Sequence, residues 1–461
     1  MTELQTAGTE AGEDWVFRRD AIRCFRFVRT SLDETSGRVE LVYAFDEGPE
    51  LIETLQIPGA PFQLDANRRR AVTAALRLLH LFAGVSYYKA AVPPKLRVET
   101  QAPDPSLAAL VTSVYENGLG EFAYRNGLSL RGKIHFETSA TATTAPKLGL
   151  TRHALTAIGG GKDSLVSIEA LRAAGLAQSV AFVGASPLIR TCAEKTGLPV
   201  VQIGRQLAPA LFEFNKQGAW NGHIPVTAIN SAILVLAALL RDADQVVFSN
   251  ERSASYGSLI AGTGEVNHQW SKSWDFERVF AAYVREHVAA DLHYYSLLRP
   301  LSELAVARQF ARQDRYDAVF SSCNRNFHLR GERPTQRWCG VCPKCQFVFL
   351  ALAPFLPKPR LTAIFGRNLL DETTLASGYD ALIEYGAHKP FECVGEGREA
   401  RAAFFELAKR PVWREDALVR RFARDIAPQI EPVALTSLLG LHAEHGIPET
   451  LWDRVSETFR T

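Results

Sequence analysis

The chain has 461 residues, 47% of them hydrophobic, enough to bury two or three cores and more than one core usually serves. Its 52 lysines and arginines balance 50 aspartates and glutamates, so it lacks the field of a general nucleic-acid binder, and small or mixed-charge ligands are favoured. The longest apolar run, Ala232 to Leu240, falls well short of the roughly 18 residues that span a bilayer, so no membrane span is credible.

Residues 1–14, "MTELQTAGTEAGED", are acidic and polar, with neither a basic nor an apolar signal segment. They are expected to be a disordered lead-in on a cytoplasmic protein. From 15 to 148 an α+β domain is predicted: alternating runs such as "RVELVYAFD" surround one amphipathic helix, Leu64 to Phe82. The run Arg68 to Arg70 on that helix is most simply a solvated face. "TSATATTAP", residues 138 to 146, has no apolar period, ends in proline and looks like a linker.

Residues 149–355 change character. Short β-rich runs, "ALTAIGG", "SVAFVG", "PVVQIG", "QVVFSN" and "AVFSSC", alternate with helical segments such as "DSLVSIEALRAAG" and "VTAINSAILVLAALL". Runs that are apolar throughout predict strands buried on both faces, hence an α/β fold with a doubly wound, mainly parallel sheet. Ligands of such sheets sit beyond the carboxyl ends of the strands, where this sequence places "GGGKDS", "GASP", "NERSAS" and "CNRNF". Residues 356–461 read as a mainly helical C-terminal region.

In "TAIGGGKDSLVSI" a strand ends in glycines and passes directly into a helix, which aims backbone N–H groups and the helix dipole at one point. Such a turn suits an anion. The alternative is a plain strand-to-helix turn, with Asp163 and Ser164 as helix-start residues. No glycine stands at the Walker distance before Lys162, and Asp163 and Ser164 occupy the closing positions of a dinucleotide fingerprint, so both common nucleotide motifs fail.

Four of the seven cysteines crowd one region. Cys339, Cys342 and Cys345 stand at C-x-x-C-x-x-C spacing, and Cys323 is a possible fourth ligand. Four thiolates complete a closed tetrahedral zinc site, whereas ferredoxin spacing for an iron–sulfur cluster is absent. The alternative is reduced cysteines without metal.

The glycine stretch resembles the S-G-G-x-D-S pyrophosphate loop of ATP pyrophosphatase-type enzymes, whose fold is adenine nucleotide alpha-hydrolase-like. Gly160, Gly161, Asp163 and Ser164 match, and Gly159 replaces the leading serine. The resemblance implies ATP bound through Gly159, Gly160, Gly161, Lys162, Asp163 and Ser164, with Mg²⁺ or the loop oriented by Asp163. It also places adenine near the backbone of Val183 and Gly184. The cysteine cluster resembles the zinc site of the queuosine-pathway nitrile synthases, which makes a nucleobase- or tRNA-modifying ligase the second reading.

Longer stretches, "GVSYYKA", "GHIPVTAINS", "SNERSAS", "VNHQWSKSWDFE", "RWCGVCPKC" and "HKPFECVGE", together with the loop, resemble the UDP-N-acetyl-α-D-muramoyl-L-alanyl-L-glutamate epimerases of peptidoglycan synthesis. That resemblance covers roughly residues 15 to 400. It implies a UDP-muramoyl dipeptide as small-molecule substrate, ATP as co-substrate, and release of AMP and pyrophosphate. Asn250, Glu251, Arg252 and Ser253 are then expected near the acyl phosphate or the glutamate carboxylates. His268, Lys272 and Cys393, with Arg252 and Asp163, are the candidate catalytic groups, though a lone histidine or cysteine is more often structural.

Overall fold

The computed structural model describes residues 15–140, 143–260, 264–327 and 334–460. The expected lead-in over 1–14 lies outside the described residues, as does part of the expected linker. The strands are β1 (Cys24–Asp33), β2 (Arg38–Phe45), β3 (Leu51–Gln56), β4 (Lys95–Val98), β5 (Thr151–Ala157), β6 (Gln178–Val183), β7 (Val200–Gln206), β8 (Ala243–Phe248), β9 (Ser258–Ile260), β10 (Gly264–Val266) and β11 (His293–Ser296).

Nine of these form one sheet in the spatial order β11-β8-β5-β6-β7-β3-β2-β1-β4, and β9 pairs with β10 in a separate ribbon. The five strands from β11 to β7 are all parallel, as expected of a sheet built from strand–helix–strand units. At β7 the direction reverses. β3 pairs with it antiparallel, through Thr54 opposite Gln206 and Gln56 opposite Gly204, so strands from both sides of residue 149 share a single sheet. The fully buried Glu53 of β3 accepts from Arg205 of β7 at 2.7 Å and ties the junction together.

Alternation along the parallel strands supplies two cores. Leu155, Ala181 and Val246 enter one apolar cluster, while their neighbours Ala154, Val180, Phe182 and Val247 enter the other. On the first face lies the helix Val226–Leu240, with twelve of its residues buried and the helix Ala66–Ala83 packed against it. That double cover explains why its apolar run is continuous instead of confined to a stripe. Ala66–Ala83 begins one residue after Asp65, whose carboxylate accepts from the Arg68 amide and caps the helix slightly later than the apolar period alone suggests. Arg68 pairs with Asp242 and Arg69 with Glu34, so part of the arginine run stitches elements together.

The second face is covered by the helices Lys162–Ala173, Glu303–Ala311 and Pro343–Leu352 and by the helical C-terminal region. One expected strand is replaced. "AVFSSC" forms no strand, and the fifth parallel position is taken by β11 from "HYYS". "HYYS" is less apolar than "AVFSSC", and packing holds it in the sheet: the buried Tyr294 and Tyr295 hydrogen-bond to Ser231 (2.8 Å) and Gln245 (2.6 Å). Among the described residues, no helix is long and apolar enough to cross a membrane.

Candidate functional site

The glycine loop stands at the carboxyl end of β5, the central strand of the parallel set. Gly160 adopts φ +80°, a left-handed conformation that β-carbon-bearing residues disfavour, and Gly161 caps the helix Lys162–Ala173. This turn opens onto a cavity of about 320 Å³ whose lining includes Gly159, Gly161, Asp163, Ser164, Val183 and Asn250. The amides at the helix start and the half-buried Asp163 suit a phosphate with a cation beside it. Burial would raise the Asp163 carboxyl, but Lys162, Lys344 and Lys272 together outweigh it and hold the group below its ordinary value, hence ionised.

Lys162 is placed differently from its neighbours. Its ammonium is buried between Asp163 and Glu303 and is not among the groups lining the cavity. The ammonium groups on the cavity are Lys272 and Lys344. Gly184 likewise turns aside, because its amide donates to Ile203 at 2.9 Å and its carbonyl accepts from Gln202 at 2.8 Å, whereas Val183 does line the cavity.

Cys393 lies on the same cavity, brought there by a segment more than two hundred residues beyond the loop. Lys272 donates to its sulfur at 3.1 Å. Burial pushes the thiol up, but Lys272, His268 and Lys344 overcome that and bring its pKa down to about 5. His268 responds in the opposite sense: burial lowers it, while Cys393 and Glu121 raise it to about 9. At neutral pH Cys393 is therefore a thiolate and His268 an imidazolium, and the Lys272 ammonium contacts the sulfur. A thiolate so placed is a proton acceptor, and its cationic neighbours can carry or return a proton.

The stretch 250–253 divides between environments. Asn250 lines the small cavity and donates to Ser296 at 3.0 Å. Glu251 is buried and caps the turn Arg252–Ser255 by accepting from the Ala254 amide at 3.1 Å. Its burial, reinforced by Glu303 and Glu399, raises its pKa to about 8, so it is largely protonated at neutral pH. Ser253 is fully buried. Arg252 faces a second, larger cavity of about 880 Å³, which Asn267, Trp270 and Trp274 also line. Lys272 belongs to the small cavity, so the single segment 267–274 borders both.

Cys323, Cys339, Cys342 and Cys345 converge with all four sulfur atoms within 4.8 Å of one another. Two of the separations, 3.4 Å for Cys342–Cys345 and 3.7 Å for Cys339–Cys345, are close to the roughly 3.8 Å edge of a tetrahedron with zinc–sulfur bonds of about 2.3 Å. The donor set and spacing fit a structural zinc ion. Cys345 and Lys344 are adjacent on the helix Pro343–Leu352, so the residues that gather the cysteines also deliver an ammonium to the loop cavity.

Several groups at the site are not evident from residue patterns. Glu303 partners Lys162 across 141 residues, and Glu121 and His223 meet His268 from two other segments. The only signals were the unusual length of "GHIPVTAINS", which contains His223 and the cavity residue Asn230, and the lysine inside "CPKC".

Comparison with known proteins matches residues 16–297 to the MurL N-terminal domain and residues 319–436 to the MurL C-terminal domain. The chain is similar to the UDP-N-acetyl-alpha-D-muramoyl-L-alanyl-L-glutamate epimerase of Xanthomonas oryzae pv. oryzae (strain MAFF 311018), 67% identical over 446 residues, covering 96% of this chain and 99% of that protein. The epimerase of the same name from Salinispora tropica is 44% identical over 403 residues, 86% of this chain and 87% of its own length. That of Micromonospora sp. (strain ATCC 39149) is 43% identical over 421 residues, 90% and 93% of the two chains.

Proposed function

The chain belongs to the MurL family of UDP-N-acetyl-α-D-muramoyl-L-alanyl-L-glutamate epimerases, and from that premise we propose that it inverts the terminal L-glutamate of UDP-N-acetylmuramoyl-L-alanyl-L-glutamate in an ATP-dependent reaction. The α-carboxylate is activated as an acyl-adenylate, AMP and pyrophosphate are released, and the D-glutamyl product serves peptidoglycan precursor synthesis. The observation that supports this most directly is that the glycine loop and Cys393 line one cavity.

The chemistry needs both. A free α-carboxylate resists loss of the neighbouring proton, because the carbanion adds charge to an existing anion. Adenylation removes that charge and creates an acyl group that delocalises the carbanion. On this reading the amides of Gly159 to Gly161 and the hydroxyl of Ser164 hold phosphate oxygens, and Lys272 and Lys344 offset their charge. Asp163, ionised at the cavity edge, would hold Mg²⁺, which supplies charge neutralisation of the leaving pyrophosphate. The Cys393 thiolate takes the α-proton, and reprotonation from the opposite face inverts the centre. Hydrolysis of the acyl-adenylate then liberates the carboxylate. We assign the UDP-muramoyl part to the larger cavity, where Trp270, Trp274 and Arg252 offer stacking surface and a cation. Structural zinc on the four cysteines holds the segment that carries Lys344.

The test is pyrophosphate release by the purified full chain with ATP and Mg²⁺. Release with UDP-N-acetylmuramoyl-L-alanyl-L-glutamate, accompanied by D-glutamate in the hydrolysed product, is expected. Release with a deazapurine carboxylic acid and not with the muramoyl dipeptide would instead identify a nucleobase-modifying ligase.

A further inference from the structure

The epimerase reading leaves unexplained why three ionisable groups from separate parts of the chain, none of them lining the loop cavity, converge on one another. Glu121 comes from the helix Gly120–Arg125, His223 from the loop before Val226–Leu240, and His268 from the segment after β10. Glu121 is 5% exposed. One of its carboxylate oxygens, Oε1, accepts from Arg125 Nε at 2.5 Å, and the other, Oε2, bonds His268 Nδ1. Nδ1 is thus engaged by the carboxylate, and Cys393 and Glu121 together raise His268 against the effect of its burial.

We propose that Glu121 is a positioning residue of the proton-transfer machinery: it orients His268 and sustains the imidazolium that partners Cys393. The proposal rests on the epimerase reading for its catalytic meaning, and on the contact between Glu121 and His268 for its geometry. The logic is that of a nucleophile or base oriented by a histidine that is itself oriented by a carboxylate.

The groups facing His268 from every packed element agree with this. His223 packs against it with the rings tilted by 40° and their centroids 4.2 Å apart, and its Nδ1 lies 4.0 Å from Glu121 Oε2. Burial and the neighbouring His268 hold His223 down to a pKa of about 4, so it is neutral and does not compete for the carboxylate's charge. Arg125 neutralises part of Glu121 but is bound to the far oxygen. The thiolate of Cys393 favours a positive charge on His268. Glu392, adjacent to Cys393, is raised by burial and shared with the Lys344 amide and Asn324. Glu121 is thus the one carboxylate in direct contact with the imidazole among the described residues.

The experiment is a proton-detected NMR titration of the full chain with labelled histidine, His268 being assigned by the signal lost in His268→Gln. In Glu121→Gln the His268 midpoint should fall by about one pH unit or more, the shift expected for loss of an adjacent opposite charge. Glu121→Asp keeps the charge but withdraws it, and its midpoint should fall between the two; that variant carries the test if Glu121→Gln does not fold. The alkaline limb of α-proton exchange in the substrate should move down with the midpoint. An unchanged His268 midpoint in either folded variant would overturn the proposal. So would a transition-metal ion lost specifically in His223→Ala, because the three groups would then be ligands and not a relay. If the midpoint shifts as stated while the wild-type chain epimerises nothing, the relay stands and the epimerase reading fails.

Discussion

A cysteine buried among apolar groups resists ionisation, and Cys393 would do the same were Lys272 and His268 not beside it. The competition has a measurable consequence. A free thiol ionises near pH 8.5, whereas Cys393 is expected to stay a thiolate down to about pH 5, so between those values it reacts as a nucleophile while an ordinary cysteine does not. Carbamidomethylation followed residue by residue by mass spectrometry should show Cys393 labelled throughout that window, with the rate falling below about pH 5. In Lys272→Met the midpoint should rise by about one unit or more, because the ammonium in contact with the sulfur is gone. No rise would mean that Lys272 does not set the ionisation. At this scale the sequence was half informative. Cys393, His268 and Lys272 could be named as candidates from their chemistry, but nothing in the order of residues says that they meet. Their partner Glu121 lies 147 residues from His268, and an ion pair of that separation leaves no local pattern. Lys162 illustrates the converse: it stands inside the loop motif, yet Glu303, 141 residues away, draws its ammonium out of the cavity.

Elements with a local cause were legible, and those chosen by packing were not. The glycine turn into Lys162–Ala173 and the apolar helix Val226–Leu240 follow from composition and punctuation. "AVFSSC" carries the apolar signature of a strand and "HYYS" does not, while the tyrosine hydrogen bonds that hold β11 in the sheet are made only in the folded chain. The C-terminal region is mainly helical, as its sequence predicts, though residues 369–382 are divided into two short turns and the helix Ala376–Leu382. The helix Pro343–Leu352 carries the most testable element-level claim, because its N-terminal turn is shared by the cysteine cluster and Lys344. Metal analysis should find one zinc ion per chain, and Cys345→Ser should lose it. Loss of a structural metal is expected to destabilise by about 4 kcal/mol or more, read as a lowered melting temperature. A metal-free wild-type protein with the same melting temperature as the variant would remove zinc from the account.

Over the whole molecule, the reversal at β7 decides how the parts cooperate. Reading composition alone suggests a unit over 15–148 followed by another over 149–355, yet β3 hydrogen-bonds to β7 and the helix Ala66–Ala83 packs on Val226–Leu240. One sheet and its two cores therefore hold Glu121 from the early chain, the glycine loop and His268 from the middle, and Cys393 from beyond residue 355 in fixed relation. This convergence underlies the central claim, that activation and inversion occur in one cavity but rest on separable groups. The most direct measurement compares wild type with Cys393→Ala in D₂O, following substrate-dependent exchange of labelled pyrophosphate into ATP alongside deuterium at the glutamate α-carbon. The account predicts that the variant keeps pyrophosphate exchange, because the loop is intact, and loses α-deuteration and D-glutamate formation by at least about a hundredfold, the usual contribution of a general base. Deuteration and inversion at the wild-type rate in Cys393→Ala would contradict it.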